Sequence, residues 1–234
     1  MNVKIALAVF AVFLSGCATK VDNDSDADRS VQPPDFVSVS PESSEWIEET
    51  GSKGVKRIFW RELSNSEVNK RLPLEMQTIS VLKIDSETSA GFASAKMSAS
   101  AGTYQVIMDY AKYTDSMGSN KRMTRVGVGV RIIADVKTAK ANIDLGSLFA
   151  ISAAAKAGLL SGRITVLKIG MDSQKLSVAL PTLADISDAT LQNSLLAVGA
   201  IKARVFEPDT VLTPFIIAER YSGEKLKPVS SGKK

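Results

Sequence analysis

In this 234-residue chain, Ser80-Val81-Leu82-Lys83 and Ser222-Gly223-Glu224-Lys225 each set a serine three residues ahead of a lysine. A lysine amine can activate a serine hydroxyl when both side chains share a helix face, which a spacing of three allows. Neither stretch reads as a helix. The first lies in a strand-like run, where positions three apart point to opposite faces, and the second lies in a basic tail. Asp185 and Asp188 form a carboxylate pair, but they stand where a helix start calls for a cap and negative charge. Gly127-Val128-Gly129 lacks the third glycine of a phosphate-cradling loop and sits inside a strand pattern. Tyr104, Tyr110, Tyr113 and Phe149 would stack on a sugar only from a shared open face, and of the tyrosines only Tyr113 falls on the outer side of its strand. The acids of Asp22–Asp28 do not follow a calcium-loop pattern. The chain has no histidine. Imidazole acid–base catalysis, Ser–His and Cys–His nucleophiles, and histidine-based zinc sites are thereby removed. A carboxylate or Ser–Lys hydrolase is the enzymatic reading left, and nothing in the spacing favours it.

Periodicity outlines the elements that carry these residues. From Met123 to Lys137, Val126, Val128, Val130, Ile132, Ala134 and Val136 alternate with Arg125, Gly127, Gly129, Arg131 and Asp135, the period-two pattern of a half-buried strand. Tyr104–Tyr113 aligns Tyr104, Val106, Met108 and Tyr110 in the same way. Setting Tyr113 opposite Met123 brings those four opposite Ile132, Val130, Val128 and Val126, and one hairpin register then matches both apolar faces. On the other face Asp109 falls opposite Gly127. Gly127 and Gly129 leave a flat spot that another backbone or an aromatic ring can approach. The loop Thr114–Arg122 is polar and ends basic. Thr114, Asp115, Lys121 and Arg122, with Arg125, Gly127 and Gly129 beside them, are therefore the candidate contacts for a partner.

Further elements follow from caps and breakers. Ser64 or Asn65 caps a short helix that Pro73 ends. Thr78–Ile84 reads as a strand, and residues 86–103 as a loop with an irregular strand near Ala93–Ser98. A helix over Leu148–Ala157 is capped by Asp144 or Ser147 and closed by Gly158, and its ridge Gly146, Ala150, Ala154, Gly158 suits close packing on a sheet. Gly162–Ile169 and Gln174–Leu180 read as strands. A second helix starts at Ser187 or Asp188 and ends at Gly199. Ala200–Phe206 and Val211–Ala218 read as a closing hairpin, with Pro214 implying an edge or a bulge. The expected class is α+β: a mostly antiparallel sheet with two short helices covering one face.

The amino end carries a different signal. Lys4 precedes the unbroken apolar run Ile5–Leu14, followed by the small residues Ser15 and Gly16 and then by Cys17, the one cysteine of the chain. The run is too short for a spanning helix, which takes about 20 residues. It has the parts of an export signal. The string Leu14-Ser15-Gly16-Cys17 resembles the lipobox of bacterial lipoproteins. The resemblance implies cleavage before Cys17, acylation of its thiol and attachment to a membrane, with no free thiol left for a disulfide or a metal. Ala18 after the cysteine implies an outer-membrane destination in a Gram-negative cell. Acyl chains each burying many CH₂ groups at about 0.8 kcal/mol make such attachment lasting.

Charge divides the remainder. Residues 20–54 hold nine acidic and three basic groups, and residues 55–234 hold 25 basic and 16 acidic. Residues 17–54, the lipidated cysteine followed by a stretch rich in Ser, Pro and Glu, read as an acidic tether on which Trp46 and Ile47 are expected to dock. The body, 55–221, is basic but scattered, with no run above two, which suits solubility more than a lipid or acidic partner. Residues 222–234 read as a basic, frayed tail. No aromatic–basic stripe of a nucleic-acid site is present. The sequence thus predicts a lipid-anchored, non-enzymatic envelope protein with no cofactor or metal, acting on an envelope protein partner or as a homo-oligomer. A periplasmic module binding a lipid, glycan or peptide is the alternative.

Overall fold

In the computed structural model the described residues are 35–230, apart from 53, 87–88, 94–100, 118–121, 141, 173–182, 205–206 and 208–209. Cys17, Lys121, the expected strand Gln174–Leu180 and most of Ala93–Ser98 lie outside them. The elements in chain order are β1 (Phe36–Ser43), β2 (Trp46–Gly51), β3 (Gly54–Phe59), α1 (Asn65–Arg71), β4 (Leu74–Ser86), β5 (Ser89–Phe92), β6 (Gly102–Met117), β7 (Met123–Thr138), α2 (Leu148–Lys156), β8 (Leu160–Ile169), β9 (Met171–Asp172), β10 (Ala184–Asp185), α3 (Asp188–Arg204), β11 (Val211–Leu212) and β12 (Phe215–Arg220). The fold is α+β, with a mostly antiparallel sheet as the sequence implies. The main sheet runs β1-β12-β7-β6-β4-β5, and β8 joins it by pairing with β7 and β10.

The β6–β7 hairpin is its spine, and the register differs from the expected one. Met117 faces Met123 and Tyr104 faces Val136, a slip of four residues from the pairing of Tyr113 with Met123. Period-two patterning fixes parity only, so every even slip keeps the same residues on the same faces. The slip adds Thr114–Met117 to the ladder and moves Asp109 from Gly127 to Arg131. Half of the expected loop is strand.

The even-numbered face of the hairpin carries the main core. Tyr104, Val106, Val128, Val130 and Ile132 pack with Leu148 and Ile151 of α2, Leu191 and Ile201 of α3, and Trp60 and Val68. Both helices cover that face, as expected, and local signals fix their ends. Ser64 and Glu67 form a reciprocal capping box on α1, Ser147 accepts from Ala150 N on α2 at 3.1 Å, and Ser187 accepts from Thr190 N on α3 at 3.2 Å. Gly199 does not end α3. A single glycine costs a helix only about 1 kcal/mol, and Ile201, fully buried in the core, holds the last turn in place. The expected closing hairpin is thus replaced. Residues 200–204 are helical, β11 pairs with β9, and β12 lies between β7 and β1. Pro214 precedes β12, which is not an edge strand but carries a bulge at Ile217, the second of the two expectations.

Two boundaries also move. Residues 36–51, expected within the tether, are strands: β1 pairs with β12 and β2 with β3. Ile47 is buried in the main core and Trp46 is half-buried, the docking expected of them, and that burial helps offset the entropy of ordering the stretch. At the other end, residues 222–230 dock against the sheet, because Val229 is buried with Leu82, Ile107 and Ile133.

The free side of β7 forks. Gly129–Thr138 pairs with β8 and Thr124–Gly127 with β12, so the two neighbours part at Val128. The glycines on either side of Val128 lie where β6 approaches closely. A Cβ on Gly129 would overlap the Tyr110 carbonyl oxygen and lie 2.7 Å from Ala111 Cα, and one on Gly127 would overlap the Lys112 oxygen. The expected close approach is therefore made by β6 itself, and Gly127 and Gly129 are buried and not an open flat spot. Gly129→Ala is expected to lower unfolding free energy by about 2–4 kcal/mol in urea titration followed by circular dichroism. Gly91→Ala, where a Cβ meets nothing within 4 Å, should stay within about 0.5 kcal/mol of wild type.

Candidate functional site

The odd-numbered face of the hairpin bears the polar residues from which the site is built. Arg131 is fully buried and Asp109 nearly so. The guanidinium donates from Nε to Asp109 Oδ1 at 2.6 Å and from Nη2 to Asp109 Oδ2 at 2.8 Å, a fork-to-fork pair. Nη2 also donates to the Ile217 carbonyl at 2.8 Å, and Nη1 donates to the Val39 carbonyl. Ser38 Oγ completes the cluster by donating to Asp109 Oδ2 at 2.7 Å.

Those two carbonyls are available because both ladders are irregular there. On β12, Ile216 faces Val126 and Ala218 faces Arg125, which leaves Ile217 as an extra residue. On β1, the register jumps between Ser38 and Glu42, a span that contains Val39. A bulged residue loses its ladder partner, and a buried carbonyl needs a donor. Arg131 supplies the donors. The pair therefore fastens β12 and β1 over the second face of the hairpin. It is a structural element, closed to solvent, and leaves no room for a substrate.

The predicted contact residues occupy the hairpin end. Arg125 is engaged: its guanidinium stacks 4.0 Å from the Phe36 ring and 4.8 Å from the Tyr113 ring, and Nε lies 3.4 Å from Asp115 Oδ1. Arg122 pairs with Glu224 at 2.8 Å and with Glu219 at 3.8 Å. Thr114 is half-buried in β6 opposite Val126. Thr114, Asp115, Arg122 and Arg125 are thus brought to one end, while Gly127 and Gly129 belong to the fork beneath. Two clefts flank this end. One, about 270 Å³, lies between Ser43–Trp46 and Ser116, Met117 and Thr124. The other, about 380 Å³, lies between β1 and Arg122, Glu219, Glu224 and Lys225.

The other chemistry-bearing residues disperse. Ser80 and Lys83 sit on β4 with opposite orientations. Asp188 accepts from Ser152 Oγ at 2.9 Å, and Asp185 is exposed 3.8 Å from Arg163. Tyr104 and Tyr110 are buried, whereas Phe149 is 73% exposed. Burial, and then the Glu75 carboxylate, hold the Tyr110 phenol above its ordinary value. Among the described residues no group of His, Cys, Asp and Glu has the arrangement of a metal site, and no helix is long and apolar enough to cross a membrane.

Sequence reasoning missed Asp109 and Arg131 as partners. The signal was present. Of the even slips, the one that pairs Met117 with Met123 alone sets both Asp109 opposite Arg131 and Asp115 opposite Arg125, and opposite charges across strands favour a register. No protein-family model, curated protein or solved structure matches this chain.

Removing one partner strands a buried charge, while removing both does not. Arg131→Met or Asp109→Leu alone should cost about 3–5 kcal/mol in equilibrium unfolding, and the double variant less than either single one. Equal and additive losses would show that the two groups do not act as a pair.

Proposed function

We propose that this is a lipid-anchored envelope protein whose body acts by contact with another protein and not by chemistry. The observation that carries the reading is Leu14-Ser15-Gly16-Cys17 behind a basic end and an apolar run. The position of the first described strand supports and narrows it. With the body beginning at Asp35, residues 18–34 separate it from Cys17, and 17 residues span at most about 60 Å. The body then works close to the bilayer, in the reading an outer membrane.

Phe36 lies under Arg125, and the Asp35 carbonyl accepts from Tyr221 N at 2.8 Å. The chain thus enters the body beside the hairpin end with Thr114, Asp115, Arg122 and Arg125. Its clefts mix charged, hydroxyl and apolar walls, which suits a polypeptide more than an acyl chain.

Cys17→Ser should move the protein from the membrane fraction to the soluble fraction of a fractionated cell, and the native amino terminus should carry acyl mass on Cys17. Retention of the serine variant in the membrane, with an unmodified native terminus, would end this reading.

A further inference from the structure

The two outermost strands of the main sheet are both met by residues 222–230. Ala90 N of β5 donates to the Leu226 carbonyl at 3.0 Å, and Ser230 N donates to Ser40 Oγ of β1 at 3.1 Å. Strand β4 is left differently. It is 13 residues long, but β5 pairs only with its Leu82–Ser86 half. Ala93 N adds one further bond, to the Val81 carbonyl at 2.9 Å. From Leu74 to Ser80, β4 pairs with β6 on one side and, among the described residues, with no strand on the other.

The direction of the free backbone groups follows from that bond. In an antiparallel ladder the N–H and C=O of one residue point the same way, and successive residues alternate. The Val81 carbonyl points to the β5 side. The ladder with β6 is regular from Leu74 to Ile84, so Glu75, Gln77 and Ile79 present their N–H and C=O to that same open side. Folded proteins blunt such a row with lysine, proline or a bulge. Here Pro73 stands just outside it, and Glu75 is the one charged residue of Leu74–Ser80. Glu75 and Gln77 are exposed, and the aliphatic Leu74 and Ile79 are 45% and 44% exposed.

We propose that this edge is a self-association surface, on which β4 of a second copy pairs antiparallel about Gln77. With the two-fold axis at Gln77, that residue meets its own copy, and Glu75 meets the partner's Ile79. All three residues face the open side, so each exchanges both backbone bonds. A centre at Met76 sets Ile79 against Pro73, which has no N–H. A centre at Thr78 sets Glu75 against Val81, whose carbonyl Ala93 already holds. Charge favours the same partner. The two Glu75 positions stand about 14 Å apart, beyond the roughly 8–10 Å screening length of salt. Residues 55–234 carry 25 basic and 16 acidic groups, so two copies repel over most other faces. An isologous contact uses the same edge on both copies, and the assembly closes at two. This self-contact is additional to the partner contact inferred above and needs neither Cys17 nor the hairpin end. A failure at Cys17 leaves it standing.

Sedimentation equilibrium of the Cys17→Ser chain in non-ionic detergent tests it, with association through acyl chains or the apolar amino end removed. The chain should show a concentration-dependent monomer–dimer equilibrium. Gln77→Lys and Gln77→Glu each set like charges directly opposite and should each weaken dimerisation at least about tenfold. An equimolar mixture of those two variants should dimerise more tightly than either alone. Gln77→Pro removes an N–H that β6 does not use, so circular dichroism should show an intact fold while the dimer is lost. If the proline variant does not fold, the charge variants, at an exposed position, decide. A chain still monomeric at about 0.1 mM, an assembly larger than a dimer, or a dimer indifferent to charge at residue 77 would overturn the proposal. So would a mixture that associates no better than its two components.

Discussion

The arrangement depends on one buried ion pair. Taking a guanidinium and a carboxylate out of water costs several kcal/mol each, and their attraction offsets that only with good geometry and further hydrogen bonds. Both conditions hold at Asp109 and Arg131. The carboxylate is met by both prongs of the fork and by Ser38 Oγ. The remaining guanidinium donors reach the carbonyls of Ile217 and Val39, which irregular pairing leaves without ladder partners. The bulges and the arginine therefore require each other. No other even slip sets Asp109 opposite Arg131, so the pair favours one among arrangements that apolar patterning treats as equal.

That degeneracy explains what was legible in the sequence and what was not. Alternation identified the hairpin, the faces of its strands and the helices that cover one of them, because burial on one face is a local, periodic property. Register was misplaced by an even number, since Val, Ile and Tyr on a regular repeat do not distinguish such slips. The tether and tail were judged by composition. Ile47 docks as expected, but Val229 shows the limit of that approach: one well-placed aliphatic residue in a polar stretch holds it to a core supplied by distant strands. Gly199 was read as a stop because its local cost was counted without the burial of Ile201 behind it. Of the residues expected at a partner contact, Thr114, Asp115, Arg122 and Arg125 sit at the hairpin end, where Arg122 and Arg125 are occupied by Glu224, Asp115 and Phe36.

Two consequences reach function. The clamp fastens β1, and β1 is where the chain arrives from Cys17, so in the proposed reading any pull on the anchor is carried into the middle of the sheet through Ser38 and Val39. The same strand forms one wall of the seam that holds residues 222–230.

Hydrogen exchange read by mass spectrometry tests the central claim most directly. In an Arg131→Met protein held well below its unfolding transition, peptides covering 36–43 and 215–220 should lose protection, while those covering β4 and the paired centre of β6 keep theirs. Protection in the two segments that stays at the wild-type level, or falls evenly across the whole sheet, would contradict the view that this pair fastens β1 and β12 to the hairpin.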